Sequence, residues 1–175
     1  RQVRSSGTAR SGSETMNLTA SRESPLLVYI TALIALMLTL MPLPRTVGVF
    51  WPNLLVLVIL YWSMMMPRAG GILIGFLGGL AIDVFLGSQL GQHALALSLL
   101  CYLGIRLHLL VRAKPLFEQA LIVLAALLLY EGVLWAIDGF SNQDTGTWTR
   151  WMHTLTGAAM WPLVTGLLGR LHSPR

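Results

Sequence analysis

The chain has 175 residues, of which 55% are hydrophobic and only 11% charged, and its mean hydropathy is +0.69. Soluble domains carry about 25% charged residues. The composition therefore excludes an ordinary cytosolic domain, a disordered chain and a nucleic-acid-binding module, and leaves a membrane protein of single-domain size. The net charge of +5 would suggest nucleic acid in a water-soluble protein; here the position of the charges along the chain matters more than their sum. The one cysteine, Cys101, lies inside an apolar run, which gives neither a disulfide framework nor a Cys-based metal site.

Residues 1–24 are rich in Ser, Gly, Thr and Arg and have no apolar period, so a disordered cytoplasmic tail is expected. Met16 is the first methionine, and residues 1–15 read as upstream or non-native sequence. A signal peptide is not expected, because the first apolar run starts near Leu26 and no small-residue cleavage site follows it.

Six apolar runs follow: Leu26–Met41, Val47–Met66, Gly71–Leu86, Gln89–Leu109, Leu116–Ile137 and His153–Gly169. They are continuously apolar instead of alternating, which predicts helices and not a barrel, since backbone groups in lipid must bond within their own segment. The expected fold is all-α: a polytopic membrane domain over residues 25–170 with six transmembrane helices and short loops, then a cytoplasmic tail over 171–175. A bilayer core needs about 20 helical residues. Runs one, three and six are short by that measure and would need flanking residues or local thinning. Run three is separated from run four by little more than Gly87 and Ser88, so a re-entrant hairpin is the alternative there. The runs are punctuated by Pro42, Pro44, Pro52, Pro67, Gly70–Gly71, Pro115 and Asn142. Pro52 is expected just inside the second helix, where its missing N–H is tolerated.

Basic residues collect on the cytoplasmic side of short-looped membrane proteins. With the N-terminus inside, Arg1, Arg4, Arg10, Arg22, Arg68, Arg106, Arg112, Lys114, Arg170 and Arg175 all fall inside, and only Arg45 and Arg150 fall outside. Both termini are therefore expected in the cytoplasm. Contact with anionic lipid head groups is a secondary use of this charge.

Run three carries Gly71, Gly75, Gly79, Asp83 and Gly87 at intervals of four, one ridge of a helix. Glycines so spaced allow a second helix backbone to approach closely. Two readings follow: a docking face for a partner helix with Asp83 as its polar clasp, or packing within the bundle. An ionisable residue in a membrane costs about 2.5–3.5 kcal/mol on insertion scales and so usually has a partner or a role. Asp83 is expected near the outer end of helix three and Glu131 past the middle of helix five, as a buried polar clasp. Asp138 lies seven residues further on, on nearly the same face. His93, Gln92, Arg45 and Arg150 are candidate partners. A proton relay or ion site is the sharper reading of these acids; hydrogen bonding between helices is the simpler one.

The chain has no GxSxG, HExxH or P-loop pattern and no Cys/His cluster. His93, His108, His153 and His172 show no metal-ligand spacing. No catalysis, cofactor or metal is expected. Phe50–Trp51, Tyr61–Trp62, Trp148 and Trp151 fall near predicted helix ends, where interfacial anchors are expected. Met64, Met65 and Met66 suit bundle packing. Pro162, after Trp161, should kink helix six. The polar Ser141–Thr149 loop is the candidate for an extracytoplasmic contact.

In order along the chain, Trp51-Pro52-Asn53-Leu54-Leu55, Tyr61-Trp62, Pro67, Gly75-Phe76, Gly78-Gly79, Asp83, Gly87, Leu90-Gly91, Ala94-Leu95 and Tyr102-Leu103 resemble the rod-shape-determining MreD family. The likeness continues through Gln119-Ala120-Leu121, Glu131 and Trp161-Pro162 and covers most of residues 25–170. It implies a multi-pass protein of the bacterial cytoplasmic (inner) membrane with no enzymatic activity. Its implied partners are an MreC-like bitopic protein and, directly or indirectly, MreB filaments and RodA with its penicillin-binding transpeptidase, in lateral peptidoglycan synthesis and rod shape. It also implies a fold like the six-helix substrate-binding subunit of vitamin uptake transporters. A scaffold is the first functional expectation, with Gly75, Gly79 and Asp83 in close packing, Pro52 and Asn53 shaping the entry of helix two, and Glu131 as the clasp. A small-molecule-binding membrane transport subunit is the alternative.

Overall fold

A computed structural model describes residues 25–42, 48, 51–67, 71–141 and 149–172. The expected tail at 1–24, Arg45, Arg68, Trp148, the side chain of Arg150 and the loop interior at 142–148 lie outside the described residues. Among the described residues the architecture is all-α, with six helices: α1 Pro25–Thr39, α2 Leu54–Met65, α3 Ile72–Leu86, α4 Gln92–Arg112, α5 Leu116–Phe140 and α6 Thr149–His172. Helices α4 and α5 are long and apolar enough to cross a membrane, whereas α1, α2 and α3 are shorter apolar helices.

The punctuation residues set these ends. Asn53 is the N-cap of α2, and its side chain accepts the Val56 N–H at 3.4 Å. A capping side chain satisfies one of the N–H groups that a helix start leaves open. Pro52 consequently stands before the helix and not just inside it, and the twenty-residue apolar run around it yields a helix of only 12 residues. Gly87 closes α3 with φ at +64°, a conformation that a Cβ disfavours. Pro115 precedes α5 in extended conformation. Helix α6 is longer than its apolar run and carries Pro162 inside it.

Helix α2 is apolar on every side, which marks a helix surrounded by others. All residues from Leu55 to Met64 are buried. It touches α1, α3, α4 and α6, while α5 packs against α4 and α6. Two threonines of α1, eight residues apart and so on one face, tie that helix to α2. Thr31 Oγ1 donates to the Leu27 carbonyl at 2.8 Å and accepts the Trp62 indole N–H at 2.8 Å. Thr39 Oγ1 donates to the Ala35 carbonyl at 2.8 Å and accepts the Leu55 N–H at 3.1 Å. Each hydroxyl thus returns its proton to its own helix and offers its lone pair to the next.

Tyr61 and Trp62 do not serve as interfacial anchors. Both are buried, and Tyr61 meets Trp62 edge-on at 5.3 Å between ring centroids and Trp161 at 6.3 Å. Trp161 N–H reaches Gln119 Oε1 at 3.4 Å, and the Gln119 amide donates to the Lys114 carbonyl at 2.9 Å. These rings turn inward because α2 is central: every azimuth around it faces protein. Outward, α1, α3, α5 and α6 present Leu33, Phe76, Leu128 and Leu163 among many exposed apolar side chains, a lateral surface that suits lipid and would associate in water.

Helices α2 and α4 approach closely where Gly104 meets Ser63: a Cβ at Gly104 would collide with the Ser63 hydroxyl. Gly104→Val should destabilise the bundle by about 1–3 kcal/mol through overpacking, and Trp161→Ala by about 3–5 kcal/mol through the cavity it leaves. Thermal unfolding in detergent reads both; an unchanged Tm for either would contradict this packing.

Candidate functional site

The polar residues converge at the end of the bundle where α4 begins. An α-helix starts with backbone N–H groups that have no intrahelical acceptor. The N-cap of α4 is Gly91, at φ +98°, which has no side chain to supply one. Asp83, on α3, does so instead. Its Oδ2 accepts the N–H of Gly91 at 2.9 Å and of Ala94 at 3.4 Å. Its Oδ1 accepts the His93 N–H at 3.0 Å, the His93 Nδ1–H at 2.7 Å and the Ser88 hydroxyl at 2.8 Å. Asp83 is completely buried and acts as an acceptor in every one of these bonds, the pattern of an ionised carboxylate. A negative group here also meets the positive end of the α4 dipole. The same residue closes its own helix, since the Asp83 carbonyl accepts the N–H groups of Gly87 and Ser88.

Such a cap across two helices requires their backbones to approach closely. A Cβ at Gly79 would run into the backbone of His93 and Ala94, and one at Gly75 would lie 2.5 Å from Cys101 Sγ and 3.1 Å from the Leu97 carbonyl oxygen. Of the five residues spaced by four, Gly75, Gly79 and Asp83 therefore face α4, within the chain's own bundle. Gly71 and Gly87 do not join them. Gly71 is the N-cap of α3 and Gly87 its left-handed end, and a Cβ at Gly87 would meet nothing within 4 Å.

The turn between α3 and α4 is also fastened to the end of α5. The Gln92 side-chain amide donates to Asp138 Oδ1 at 2.6 Å, with both residues buried, and the Ser141 hydroxyl donates to Gln89 Oε1 at 2.8 Å. The buried acid of α5 is thus Asp138. Glu131, expected as a buried clasp, is only half-buried. It stands two turns deeper, where the helices diverge and leave a cavity.

That cavity has a volume of about 280 Å³ and is lined by Thr39, Asn53, Trp51, His93, Glu131 and His153, with Met41, Gly48, Pro52, Ile82 and Leu86 completing its wall. His153 Nδ1 donates to the Trp51 carbonyl at 2.7 Å. The buried indole N–H of Trp51 has no acceptor among the described residues. The geometry offers hydrogen-bond donors, two imidazoles and one carboxylate around a partly apolar space. Among the described residues no group of three or more His, Cys, Asp or Glu side chains is placed to hold a metal ion.

Gln92 is among the candidate partners that the sequence offers for the acids, whereas Gln119 is not singled out as a polar clasp, although a glutamine inside an apolar helix is itself a signal that a partner exists. Asp83 and His93, ten residues apart across a Gly-rich turn, carry the corresponding signal for the α3–α4 pair.

Asp83→Ala should weaken the α4 start by more than about 1 kcal/mol, the usual loss on removing a cap, and Asp83→Asn by less, because one oxygen remains. Hydrogen exchange of the whole protein in detergent should show faster exchange at Gly91, His93 and Ala94. Unchanged protection at those amides in Asp83→Ala would contradict the cap.

Comparison with known proteins places this geometry in a family. A family model described as rod shape-determining protein MreD matches residues 21–171. The rod shape-determining protein MreD of Haemophilus influenzae is 31% identical over 138 residues, which cover 79% of this chain and 85% of that protein. No solved structure matches the chain. A match across nearly the whole helical region, together with a relative at this identity and coverage, shows that the chain belongs to the rod shape-determining protein MreD family.

Proposed function

We propose that this protein is a non-catalytic scaffold of the bacterial cell-elongation machinery. Its six helices cross the inner membrane as one domain over residues 25–170, with both termini in the cytoplasm. It partners an MreC-like bitopic protein and, through that complex, supports the RodA synthase with its penicillin-binding transpeptidase, MreB filaments and lateral peptidoglycan synthesis. The observation that carries this reading is the division of labour among its side chains. Several buried polar groups bond helix to helix, as at Asp83, between Gln92 and Asp138 and between Gln119 and Trp161, while the lateral surface is apolar. Such a molecule is a rigid body that offers shape to a membrane partner. Family membership supplies the role in rod shape. With Gly75 and Gly79 taken up against α4, a partner helix docks on another face.

A second reading, a small-molecule-binding transport subunit with a fold like that of vitamin uptake transporters, is favoured by the cavity at His93, Glu131 and His153. A water-soluble compound co-purifying with the protein would support it.

Depleting the protein should turn rods into spheres, and isolation in mild detergent should bring down a single-span companion bearing a coiled coil. Rods that keep their shape on depletion would overturn the scaffold reading. A reporter active only outside the cytoplasm, fused after Arg175, should stay silent; signal from it would overturn the topology.

A further inference from the structure

Hydroxyls on the helices of this protein return their protons to their own backbone. Thr31, Thr39, Ser63, Ser98, Thr156 and Thr165 each donate to a carbonyl three or four residues back, the usual outlet for a hydroxyl within a helix. Thr154 of α6 departs from this habit. It is 2% exposed, and its Oγ1 has no hydrogen-bond partner among the described residues. A buried hydroxyl without a partner gives up its hydration and gains nothing in return. Native proteins satisfy nearly all such groups, with ordered water where no protein atom is at hand.

Thr154 lines a small pocket between α2, α5 and α6, together with Asn53, Leu57, Leu127, His153 and Gly157. Tyr130 and Glu131 also border it; each has an interaction of its own, and the site does not rely on them. About 10 Å³ of the pocket is open to the centre of a water-sized sphere, roughly the least that holds one water. Asn53 and His153 line the larger cavity as well, which gives a water its way in. One turn further along their helices, Leu57, Leu127 and Gly157 close the pocket, and a Cβ on Gly157 would lie 3.0 Å from Leu127 Cδ1. Two more polar groups remain for an occupant. His153 Nδ1 donates to the Trp51 carbonyl, which can only accept, so the neutral ring keeps its lone pair on Nε2. Asn53 Oδ1 accepts the Val56 N–H, which leaves the N–H groups of its amide. We propose that one water molecule is fixed in this pocket, with Thr154 Oγ1, His153 Nε2 and the Asn53 amide as its partners. Three hydrogen bonds are what a buried water typically makes. This water ties the start of α2 to α6 and marks where the wet cavity ends and the dry core begins. It depends on neither the scaffold nor the transport reading.

X-ray radiolysis of the whole protein in detergent reads this site, because hydroxyl radicals form from bound water and oxidise the nearest side chains, which mass spectrometry then locates. Leu57 and Leu127 are buried, yet they should be oxidised severalfold faster than Leu97 and Leu100, which are also buried and lie outside the pocket. Thr154→Val keeps the shape of the side chain and removes its hydroxyl. Oxidation at Leu57 and Leu127 should then fall to the level of Leu97 and Leu100, with the Tm held or raised. Thr154→Ser keeps the hydroxyl and should keep the oxidation. Ile82 lines the larger cavity and not this pocket, and its oxidation should be the same in the wild type and both variants. The proposal is overturned if Leu57 and Leu127 of the wild type are oxidised no faster than Leu97 and Leu100, a comparison that needs no variant to fold. It is also overturned if Thr154→Val is oxidised there as fast as the wild type, if Thr154→Ser loses the oxidation at an unchanged Tm, or if Ile82 loses it in parallel, which would put the effect in the cavity and not in the pocket.

Discussion

The start of α4 is the point on which the packing depends. Its first N–H groups lie inside the protein, and in an apolar surrounding each unsatisfied backbone group costs several kcal/mol. Gly91 contributes no capping atom, so the acceptor must come from elsewhere, and Asp83 is that acceptor. The bond can form only if α3 and α4 nearly touch, which Gly75 and Gly79 permit. It also requires that the chain reverse sharply, which the left-handed Gly87 and Gly91 permit. Four glycines and one carboxylate thus form a single device in which each part is useless without the others.

The same economy recurs where other helices meet. Thr31 and Thr39 bond both to their own helix and to α2, Gln119 links Trp161 to the end of the α4–α5 turn, and Gln92 reaches Asp138. These contacts are neutral or singly charged and short-ranged. They give direction to surfaces whose apolar packing alone would tolerate sliding, because dispersion between aliphatic side chains depends little on register. The exposed Lys114–Glu118 pair at 2.7 Å contributes little by comparison, since ion pairs at such exposed sites are worth about 0–1 kcal/mol.

Much of this was legible in the amino-acid sequence. Hydropathy located all six helices, because a long apolar run bounded by Pro or Gly has few alternatives. The interval of four in Gly75, Gly79 and Asp83 placed them on one face, and His93 and Gln92 were recognisable as candidate partners by their position. What could not be read was which neighbour each face meets. Glu131 and Asp138 share a face, yet only the second is buried, because Asp138 meets Gln92 at the start of α4, a neighbour that α5 itself does not reveal. Tyr61 and Trp62 sit at a helix end in sequence, which resembles an interfacial anchor, but the centrality of α2 turns them inward. Pro52 was displaced from the helix by its neighbour: Asn53 is the better cap, so the helix begins after it.

The central helix is also the shortest. At a rise of about 1.5 Å per residue, the 12 residues of α2 extend roughly 18 Å, while the 25 residues of α5 extend roughly 37 Å. An axle half the length of α5 and α6 cannot flank them from end to end. Before Leu54 the chain is the non-helical stretch Trp51–Asn53, which lines the cavity together with Thr39, Glu131 and His153. Lengthening α2 by one turn before Asn53 would put helix where Trp51, Pro52 and Asn53 now line the cavity.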